Sequence, residues 1–310
     1  MLKFNLFLVF SLLIIANSHA NLLDDAREQI NLKNYDSAIQ INNLVIATSK
    51  IDQEIADAHF SSAYCYKKLN DPTFAIDEYL NALQLYTDDL DKSSTLNNIG
   101  NLFLSAQLYQ KAMAFFNQAI ELEEDSVFLA RRFLNRSIAL MYLKKYDQAK
   151  EGIKIAEKIG LKFKDIYIQF QSANQLGLME IELGKYEEAI QYFQKANQLD
   201  FSQKTYVNLG LVYGLQSQTE EAITYFRKAI NYTKRPKAKF KALQYLGDLY
   251  LKIGEFELAK ENLSQAKNLY SEISTTDIDD SKVFQSLAGF YEQTGKKNMA
   301  IETLNLSFDL

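Results

Sequence analysis

The chain has 310 residues, of which 47% are hydrophobic and 24% charged, and it contains only 11 Gly, 2 Pro, 1 Cys and 2 His. This composition excludes collagen-like, disordered and disulfide-stapled chains, and it leaves too few turn residues for a many-stranded sandwich or barrel. The 39 acidic residues outnumber the 34 basic ones, and the net charge of −5 gives no electrostatic reason to bind nucleic acid.

The first twenty residues, 1–20, have the pattern of a secretory signal peptide. Lys3 gives a positive start to an apolar stretch over residues 4–16, and Ser18 and Ala20 are the small residues that precede a cleavage point. We expect cleavage after Ala20, with a retained membrane anchor as the alternative, and no membrane span after cleavage. A single cysteine cannot form an intramolecular disulfide, whereas exported eukaryotic domains often contain such bridges. A bacterial periplasm is therefore favoured as the destination, with the cell exterior as the alternative.

A pair of small residues recurs along the rest of the chain. In each pair, an Ala follows the first small residue after twelve positions, while successive pairs start 33 to 41 residues apart. The pairs are Ala26/Ala38, Ala63/Ala75, Gly100/Ala112, Ser137/Ala149, Gly177/Ala189, Gly210/Ala222, Gly247/Ala259 and Ala288/Ala300. Small residues let two antiparallel helices approach closely. Constant spacing within a unit therefore predicts eight stacked hairpins, each with a first and a second helix.

The sixth unit carries a motif that the seventh repeats in part. In it, Leu209-Gly210-x2-Tyr213 precedes Ala222-x3-Phe226, which resembles the tetratricopeptide repeat family. The resemblance implies an all-α, right-handed superhelical solenoid of about eight helix-turn-helix repeats over residues 21–310. The expected repeats are 22–55, 56–92, 93–129, 130–166, 170–202, 203–236, 240–274 and 281–310.

The two ends of the predicted stack differ in polarity. The first unit has polar residues where apolar ones are expected, as a solvated cap would: Asp25, Gln29 and Asn42. The last helix is apolar on alternate sides, and no solvating helix follows it. We therefore expect an interface with a second copy or another protein through Ile301, Leu304 and Phe308, the alternative being a monomer with a frayed last turn.

The resemblance further implies that ligands lie against the first helices, on the inner surface of the superhelix. In units four to six the helical period places apolar groups on that surface, and contiguous apolar area there is typical of a groove for a helix or an extended peptide. These groups are Leu134, Ile138, Met141, Leu178, Ile181, Val207 and Leu211. The alternative is that tighter winding buries them between neighbouring first helices.

Side-chain amides form a second feature of the first helices. An amide both donates and accepts hydrogen bonds, so a row of amides can pair with any peptide backbone, although Asn is also ordinary at this position in the family. The amides stand two residues before the small residue of their units: Asn98, Asn135, Gln175 and Asn208. The lysine and asparagine set with which some family members hold a terminal carboxylate is not apparent.

The sequence offers little material for catalysis. His59, the one histidine after residue 20, stands where the repeat has a large aromatic side chain, and Cys65 is expected to be buried. We predict no catalytic residue, no metal and no cofactor, because zinc sites and Ser-His-Asp arrangements need more such groups. Paired acids such as Glu123-Glu124 are expected in solvated joints; a carboxylate-dependent hydrolase or polysaccharide-modifying enzyme is the alternative of another class.

Together these patterns predict an exported, non-catalytic scaffold that binds a protein or peptide in the groove of the solenoid, in the assembly of a bacterial envelope. The alternative within the same class is a periplasmic sensory or regulatory module that binds a signalling peptide. The predicted partners are a protein or peptide ligand and a second copy of the chain, without nucleic acid.

Overall fold

A computed structural model of the chain describes residues 21–199, 203–232, 236–270 and 281–308. Within these ranges the only regular secondary structure is helical, which confirms the predicted all-α class. None of the helices in this part of the chain is both long and apolar enough to cross a membrane. The predicted signal peptide, residues 1–20, lies outside the described residues.

The chain divides into two compact units, one ending at Phe163 and one beginning at Lys164. The described part of the first unit holds four hairpins: α1 (21–31) with α2 (Tyr35–Thr48), α3 (Asp52–Lys68) with α4 (Pro72–Leu85), α5 (Asp89–Ser105) with α6 (Tyr109–Glu121), and α7 (Val127–Tyr142) with α8 (Tyr146–Lys162). Odd-numbered helices are the first helices of their hairpins, and even-numbered helices are the second.

The second unit repeats this organisation in its described ranges. Its hairpins are α9 (Ile166–Glu182) with α10 (Tyr186–Leu199), α11 (Gln203–Leu215) with α12 (Thr219–Tyr232), α13 (Pro236–Lys252) with α14 (Phe256–Tyr270), and α15 (Ser281–Gln293) with α16 (Lys297–Phe308). In both units the two helices of each hairpin pack against each other, and consecutive hairpins pack side by side.

Local sequence explains where several helices begin. Asp71 caps α4 by accepting a hydrogen bond from the backbone N–H of Phe74 at 3.2 Å. Pro72 occupies the first turn, where a backbone N–H would have no partner within the helix, so the N–H that proline lacks costs no hydrogen bond. Ser126 caps α7 in the same way, with its Oγ 3.1 Å from the backbone nitrogen of Phe128. These caps satisfy N–H groups that the first turn of a helix leaves without partners.

The turn inside every hairpin has the same backbone conformation. One residue has a positive φ and stands seven positions after the small residue of the first helix; these residues are Lys33, Asn70, Gln107, Lys144, Gly184, Ser217, Gly254 and Gly295. Around Gly184, the N–H of Lys185 donates to the carbonyl of Glu180 at 2.8 Å, as in the usual left-handed end of a helix. The constant turn sets the two helices of each hairpin antiparallel.

Close packing explains the small residues of the first helices. A Cβ atom added to Gly210 would lie 2.6 Å from ring atoms of Phe226, and one added to Gly177 would lie 2.6 Å from Phe193. Both rings are buried at the centre of their hairpins. The Ala that follows twelve positions later stands one helical turn before the ring, so the motif describes a single packing contact.

The first hairpin departs from this arrangement in a way that corrects the expected solvated cap. Asp25 is exposed and Gln29 is half-buried, but Asn42 occupies the position of the central ring and is fully buried. Neither the Oδ1 nor the Nδ2 atom of Asn42 has a hydrogen-bond partner. Asn42 is therefore a polar group inside the core rather than part of a solvated surface.

A buried ion pair joins α7 to the end of α6, where the sequence predicted solvated acids. Arg132 Nε lies 3.1 Å from Glu123 Oε2, and the two side chains are only 4% and 3% exposed. Arg132 also donates to Ser93 Oγ at 2.8 Å and to Ser94 Oγ at 3.1 Å, which connects the pair to α5. Glu123 accepts a further bond from Ser126 at 2.9 Å, so both charges are well satisfied.

Candidate binding face on the first helices

The candidate ligand-binding residues fall at four fixed positions of the first helices. Counted from the small residue, these positions are three before, two before, one after and four after, and they lie on one side of the helix. We call the surface that they form in each unit the first-helix face.

The apolar candidates are mostly engaged in packing. Leu134 and Val207 are 4% and 6% exposed, and the remaining five, Ile138, Met141, Leu178, Ile181 and Leu211, are half-buried. In the second unit, Leu178 and Ile181 pack against the cluster around Phe193. The apolar part of the first-helix face therefore offers little open surface, as expected if neighbouring first helices close over these groups.

Two of the four candidate amides form an equivalent hydrogen bond, one in each unit. Asn135 Nδ2 donates to Asn97 Oδ1 at 2.9 Å, and Asn208 Nδ2 donates to Asn174 Oδ1 at 2.8 Å. In each case the amide two positions before the small residue reaches the amide three positions before the small residue of a preceding first helix. These bonds tie first helices together and leave further donor and acceptor capacity on each amide.

The other two candidate amides differ in their surroundings. Asn98 on α5 is half-buried. Gln175 on α9 is buried, and its Oε1 atom has no hydrogen-bond partner. An unsatisfied buried acceptor is uncommon in folded proteins, so the Gln175 amide is a polar group that a ligand or water would satisfy.

The first unit carries an open cavity of about 410 Å³ on its first-helix face. It is lined by residues of three successive first helices and by the residue that follows α4: Arg27, Ile30, Asp57, Phe60, Ser61, Tyr64, Tyr86, Asp91 and Ser94. We call it the α1–α3–α5 cavity. Five of its residues stand at the four register positions defined above, and its volume is in the range of ordinary ligand sites.

Two carboxylates on different helices face this cavity. Asp57 Oδ1 accepts a hydrogen bond from Tyr86 Oη at 2.9 Å and another from Gln53 Nε2 at 3.3 Å. The same Gln53 nitrogen donates to Asp91 Oδ2 at 3.1 Å, so one amide links both carboxylates. Burial raises the pKa of Asp57, and the charge of Asp91 raises it further, while Tyr86, Arg27 and Gln53 act in the opposite direction.

A smaller cavity of about 170 Å³ lies on the first-helix face of the second unit. It is lined from α11, α12 and α13 and includes Leu211, Tyr245, Asp248 and Lys252. Burial raises the pKa of the Asp248 carboxyl, and a hydrogen bond with Ser286 opposes that effect. Of the apolar candidates, Leu211 is the one that borders this cavity.

The sequence-based prediction missed the carboxylates of the α1–α3–α5 cavity because it considered amides in units three to six and apolar groups in units four to six. The signal was nevertheless present, since the register that selects Asn135 and Ile138 selects Ser61 and Tyr64 when it is applied to α3. Asp57 stands one further helical turn towards the start of the same side. The larger of the two cavities described above thus belongs to the first three hairpins.

The single histidine and the cysteine of the described chain take structural positions. His59 Nδ1 lies 2.6 Å from Glu78 Oε2, and both side chains are mostly buried. Cys65 is fully buried, and burial raises the pKa of its thiol to about 11, which keeps it protonated and unreactive at neutral pH. No group of three His, Cys, Asp or Glu side chains in the described ranges is arranged to hold a metal ion.

The terminal candidates on α16 point in different directions. Ile301 is 59% exposed, and Met299 beside it is also exposed. Leu304 instead packs against the core cluster of its own hairpin, around Leu287 and Phe290. The side chain of Phe308 lies outside the part that the structure describes. Of the three predicted interface residues, Ile301 is therefore the one whose described side chain faces solvent.

The sequence matches the tetratricopeptide repeat family over residues 93–126, 168–235 and 240–272. The chain contains tetratricopeptide repeats in these ranges. It is 33% identical over 113 residues to the small glutamine-rich tetratricopeptide repeat-containing protein 2 of Mycosarcoma maydis. That match spans 36% of this chain and 30% of the relative, so the chain corresponds to less than a third of the relative's length.

Solved structures share the fold of this chain. The apo form of the quorum sensor NprR from B. thuringiensis has a TM-score of 0.70 at 16% identity, over 94% of this chain and 86% of that chain. A chain of the APC/C hetero-tetramer Cut9-Hcn1 has a TM-score of 0.60 at 17% identity, over 93% of this chain and 52% of that chain. At these identities the likeness establishes the helical-repeat architecture alone.

Proposed function

We propose that this tetratricopeptide repeat protein is a non-catalytic scaffold that binds a protein or peptide segment on its first-helix face. The observation that carries the proposal is the α1–α3–α5 cavity, in which hydrogen-bonding and aromatic side chains from three successive first helices surround an open volume of about 410 Å³. Such a concave, mixed surface is typical of a binding site.

Unused hydrogen-bonding capacity on the same face supports a peptide as the ligand. The paired amides Asn97–Asn135 and Asn174–Asn208 each keep donors and acceptors beyond their mutual bond. Gln175 adds a buried carbonyl oxygen without a partner. A peptide in extended conformation presents both N–H and C=O groups along its length, and it can satisfy such side chains whatever its sequence.

The proposed place of action is a bacterial envelope, after export directed by residues 1–20. The support is the positive, apolar and small-residue pattern of that segment, together with the single cysteine. A fusion of residues 1–20 to alkaline phosphatase, which is active only in an oxidising compartment, tests this step. Enzyme activity on the cell exterior or in the periplasm is expected, and an inactive cytoplasmic fusion would contradict export.

Photo-crosslinking in cells of the source organism tests the binding face. Benzoylphenylalanine replaces Tyr64 on α3 or Leu215 on α11, both exposed on first helices, and Phe74 on α4 or Phe256 on α14 serves as the control on second helices. We expect a discrete foreign protein crosslinked from the first-helix positions and not from the controls. Equal crosslinking from all four positions, or none at any, would contradict binding on the first-helix face.

We also propose self-association through the last hairpin, supported by the exposed Ile301 and Met299 on α16. Exposed apolar side chains of this kind are a surface that a second copy can cover.

A further inference from the structure

The α1–α3–α5 cavity has an excess of negative charge. Its lining includes the carboxylates of Asp57 and Asp91 and one cation, Arg27. Arg27 Nη1 already lies 2.8 Å from Asp24 Oδ1, and this pair is largely exposed to solvent. Asp24 therefore offsets much of the charge that Arg27 would contribute, and the two carboxylates of the cavity remain in excess.

The carboxylates are held in place by neutral donors rather than by cations. The Tyr86 hydroxyl and the Gln53 amide both donate to Asp57 Oδ1, and Gln53 also reaches Asp91 Oδ2. These contacts orient the two groups, which come from different first helices, and each contact uses only one oxygen of its carboxylate. A cation that entered the cavity would relieve the repulsion between two partly buried negative charges.

Aromatic rings form the walls of the same cavity. Phe60 packs edge-on against Tyr86, with ring centroids 6.4 Å apart, and against Tyr79 at 5.2 Å, so its orientation is fixed by the core. Tyr64 is partly exposed, and Lys68 Nζ lies 5.3 Å from its ring centroid. Flat rings beside carboxylates favour a planar cation, because it can stack on a ring while its edge donates hydrogen bonds.

Two polar groups complete the lining. Ser61 Oγ is buried and has no hydrogen-bond partner, so it can donate to or accept from a ligand. Ser94 Oγ accepts a bond from Arg132 Nη2 at 3.1 Å, and Arg132 is itself paired with Glu123. Apart from Tyr86, which follows α4, the residues that line the site lie on helices α1, α3 and α5.

From these features we propose that the α1–α3–α5 cavity binds the guanidinium group of an arginine side chain in a peptide ligand. Asp57 and Asp91 accept hydrogen bonds from its N–H groups, and the exposed ring of Tyr64 stacks on its plane. A guanidinium fits better than an ammonium, since it has five donors spread over a flat fork and can meet two carboxylates at once.

The assignment to a peptide side chain rests on the proposed function, because free arginine carries the same guanidinium. Four probes separate the sources in a nuclear magnetic resonance titration of the purified protein. They are acetyl-arginine amide, its neutral isostere acetyl-citrulline amide, acetyl-lysine amide and free L-arginine. We expect acetyl-arginine amide to bind at least about tenfold more tightly than the citrulline and lysine probes, and more tightly than free L-arginine.

Variants connect this binding to the cavity. Asp57→Asn and Asp91→Asn keep the shape of the side chain, and each is expected to weaken acetyl-arginine amide at least about tenfold. Arg27→Gln removes the competing cation at an exposed position and is expected to tighten binding about two- to fivefold. Asp147→Asn on α8, an exposed acid outside the cavity, is the matched control and leaves binding unchanged.

Each outcome bears on the proposal in one direction. Equal binding of the arginine and citrulline probes, or binding that survives Asp57→Asn and Asp91→Asn, overturns the arginine site. Tighter binding of free L-arginine overturns the peptide source. If Asp57→Asn or Asp91→Asn fails to fold, Arg27→Gln still tests the site, because binding of acetyl-arginine amide that is not tightened by this variant overturns the proposal. Crosslinking from Leu215 is independent of this cavity, so failure of the arginine site and failure of peptide binding are distinguishable.

Discussion

Asn42 stands, in the first hairpin, where Phe116, Phe193 and Phe226 stand in others. The rings fill the space between two helices, whereas the buried amide brings two polar atoms into that space without giving them partners. An unsatisfied buried polar group costs about 1–3 kcal/mol of stability. The first hairpin is therefore expected to be less stable than a hairpin with an apolar residue at this position.

Replacing Asn42 with Leu should stabilise the protein. Removal of the unsatisfied amide and burial of additional apolar area together predict a gain of about 1–3 kcal/mol, measured as a higher urea midpoint for the loss of helical circular dichroism. Asn43→Leu is the control, because Asn43 is exposed beside it and its replacement should change stability by less than about 0.5 kcal/mol. A lower midpoint for Asn42→Leu would show that the amide is satisfied in solution.

Asp57 gives a second residue-scale prediction, which concerns pH. Its folded-state pKa is raised by burial, so the folded protein binds this proton more tightly than the unfolded chain does. The stability that depends on this proton is present below the unfolded pKa of about 3.9 and is lost as the pH rises through the folded pKa. The ionised carboxylate is therefore a source of instability at neutral pH.

Asp57→Asn should consequently raise the melting temperature at pH 7, and the advantage should shrink towards pH 3, where the wild-type carboxyl is protonated. Asn can still accept the hydrogen bonds from Tyr86 and Gln53 through its Oδ1 atom. Asp147→Asn, at an exposed position, should show little difference from wild type at either pH. A melting temperature of Asp57→Asn below that of wild type at pH 7 would contradict this account.

At the scale of the helical hairpin, one contact and one turn conformation recur. The small residue of the first helix contacts a ring or a large aliphatic group of the second helix. At Gly247, for example, an added Cβ atom would lie 2.6 Å from Leu263 Cγ. Seven residues after the small residue, the chain adopts a positive φ and reverses direction. Because both features are local, each hairpin can form the same structure despite different sequences.

Gly210→Ala and Gly289→Ala should therefore have opposite effects on stability. A methyl group at Gly210 would lie 2.6 Å from the buried Phe226 ring, so overpacking is expected to cost about 1–3 kcal/mol. Apart from its chain neighbours and the backbone of its own helix, Gly289 on α15 has no described atom within 4 Å of an added Cβ, and there Ala should gain about 0.5–1 kcal/mol through its higher helix propensity. Urea midpoints of the two variants test the contact, and equal shifts would contradict it.

At the scale of the whole molecule, repeats of one kind carry two kinds of surface. The second unit uses its apolar first-helix residues for packing around Phe193, whereas the first unit keeps an open cavity of mixed polarity on α1, α3 and α5. The exposed apolar residues of α16 provide a further surface, away from the cavity in sequence. This distribution supports the proposed scaffold, which would bind a ligand on one surface and a second copy on another.

Ile301→Glu should abolish self-association. A charge at the centre of the proposed interface would be desolvated without a partner, so multi-angle light scattering is expected to give a dimer for wild type and a monomer for the variant. Leu44→Glu on α2, at an exposed leucine of the first unit, is the matched control and should keep the dimer mass. A wild-type monomer, or a variant with unchanged mass, would contradict the interface.

The sequence alone determined the architecture of this protein. The helical period, the small residue, the Ala twelve positions later and the ring behind it are all local features, so eight hairpins could be predicted from their spacing. The family resemblance, confirmed over residues 93–126, 168–235 and 240–272, followed from the same spacing. Even the first-helix register that lines the α1–α3–α5 cavity could be read from the sequence.

Only the tertiary structure decided which of these positions are open, buried or paired. Leu134 is covered while Tyr64 is exposed at a related position, and Asn135 bonds Asn97, which lies 38 residues away. Arg132 likewise reaches Ser93 from 39 residues away. Such contacts depend on how consecutive hairpins pack across joints of unequal length, and the helical period within one hairpin carries no information about that packing.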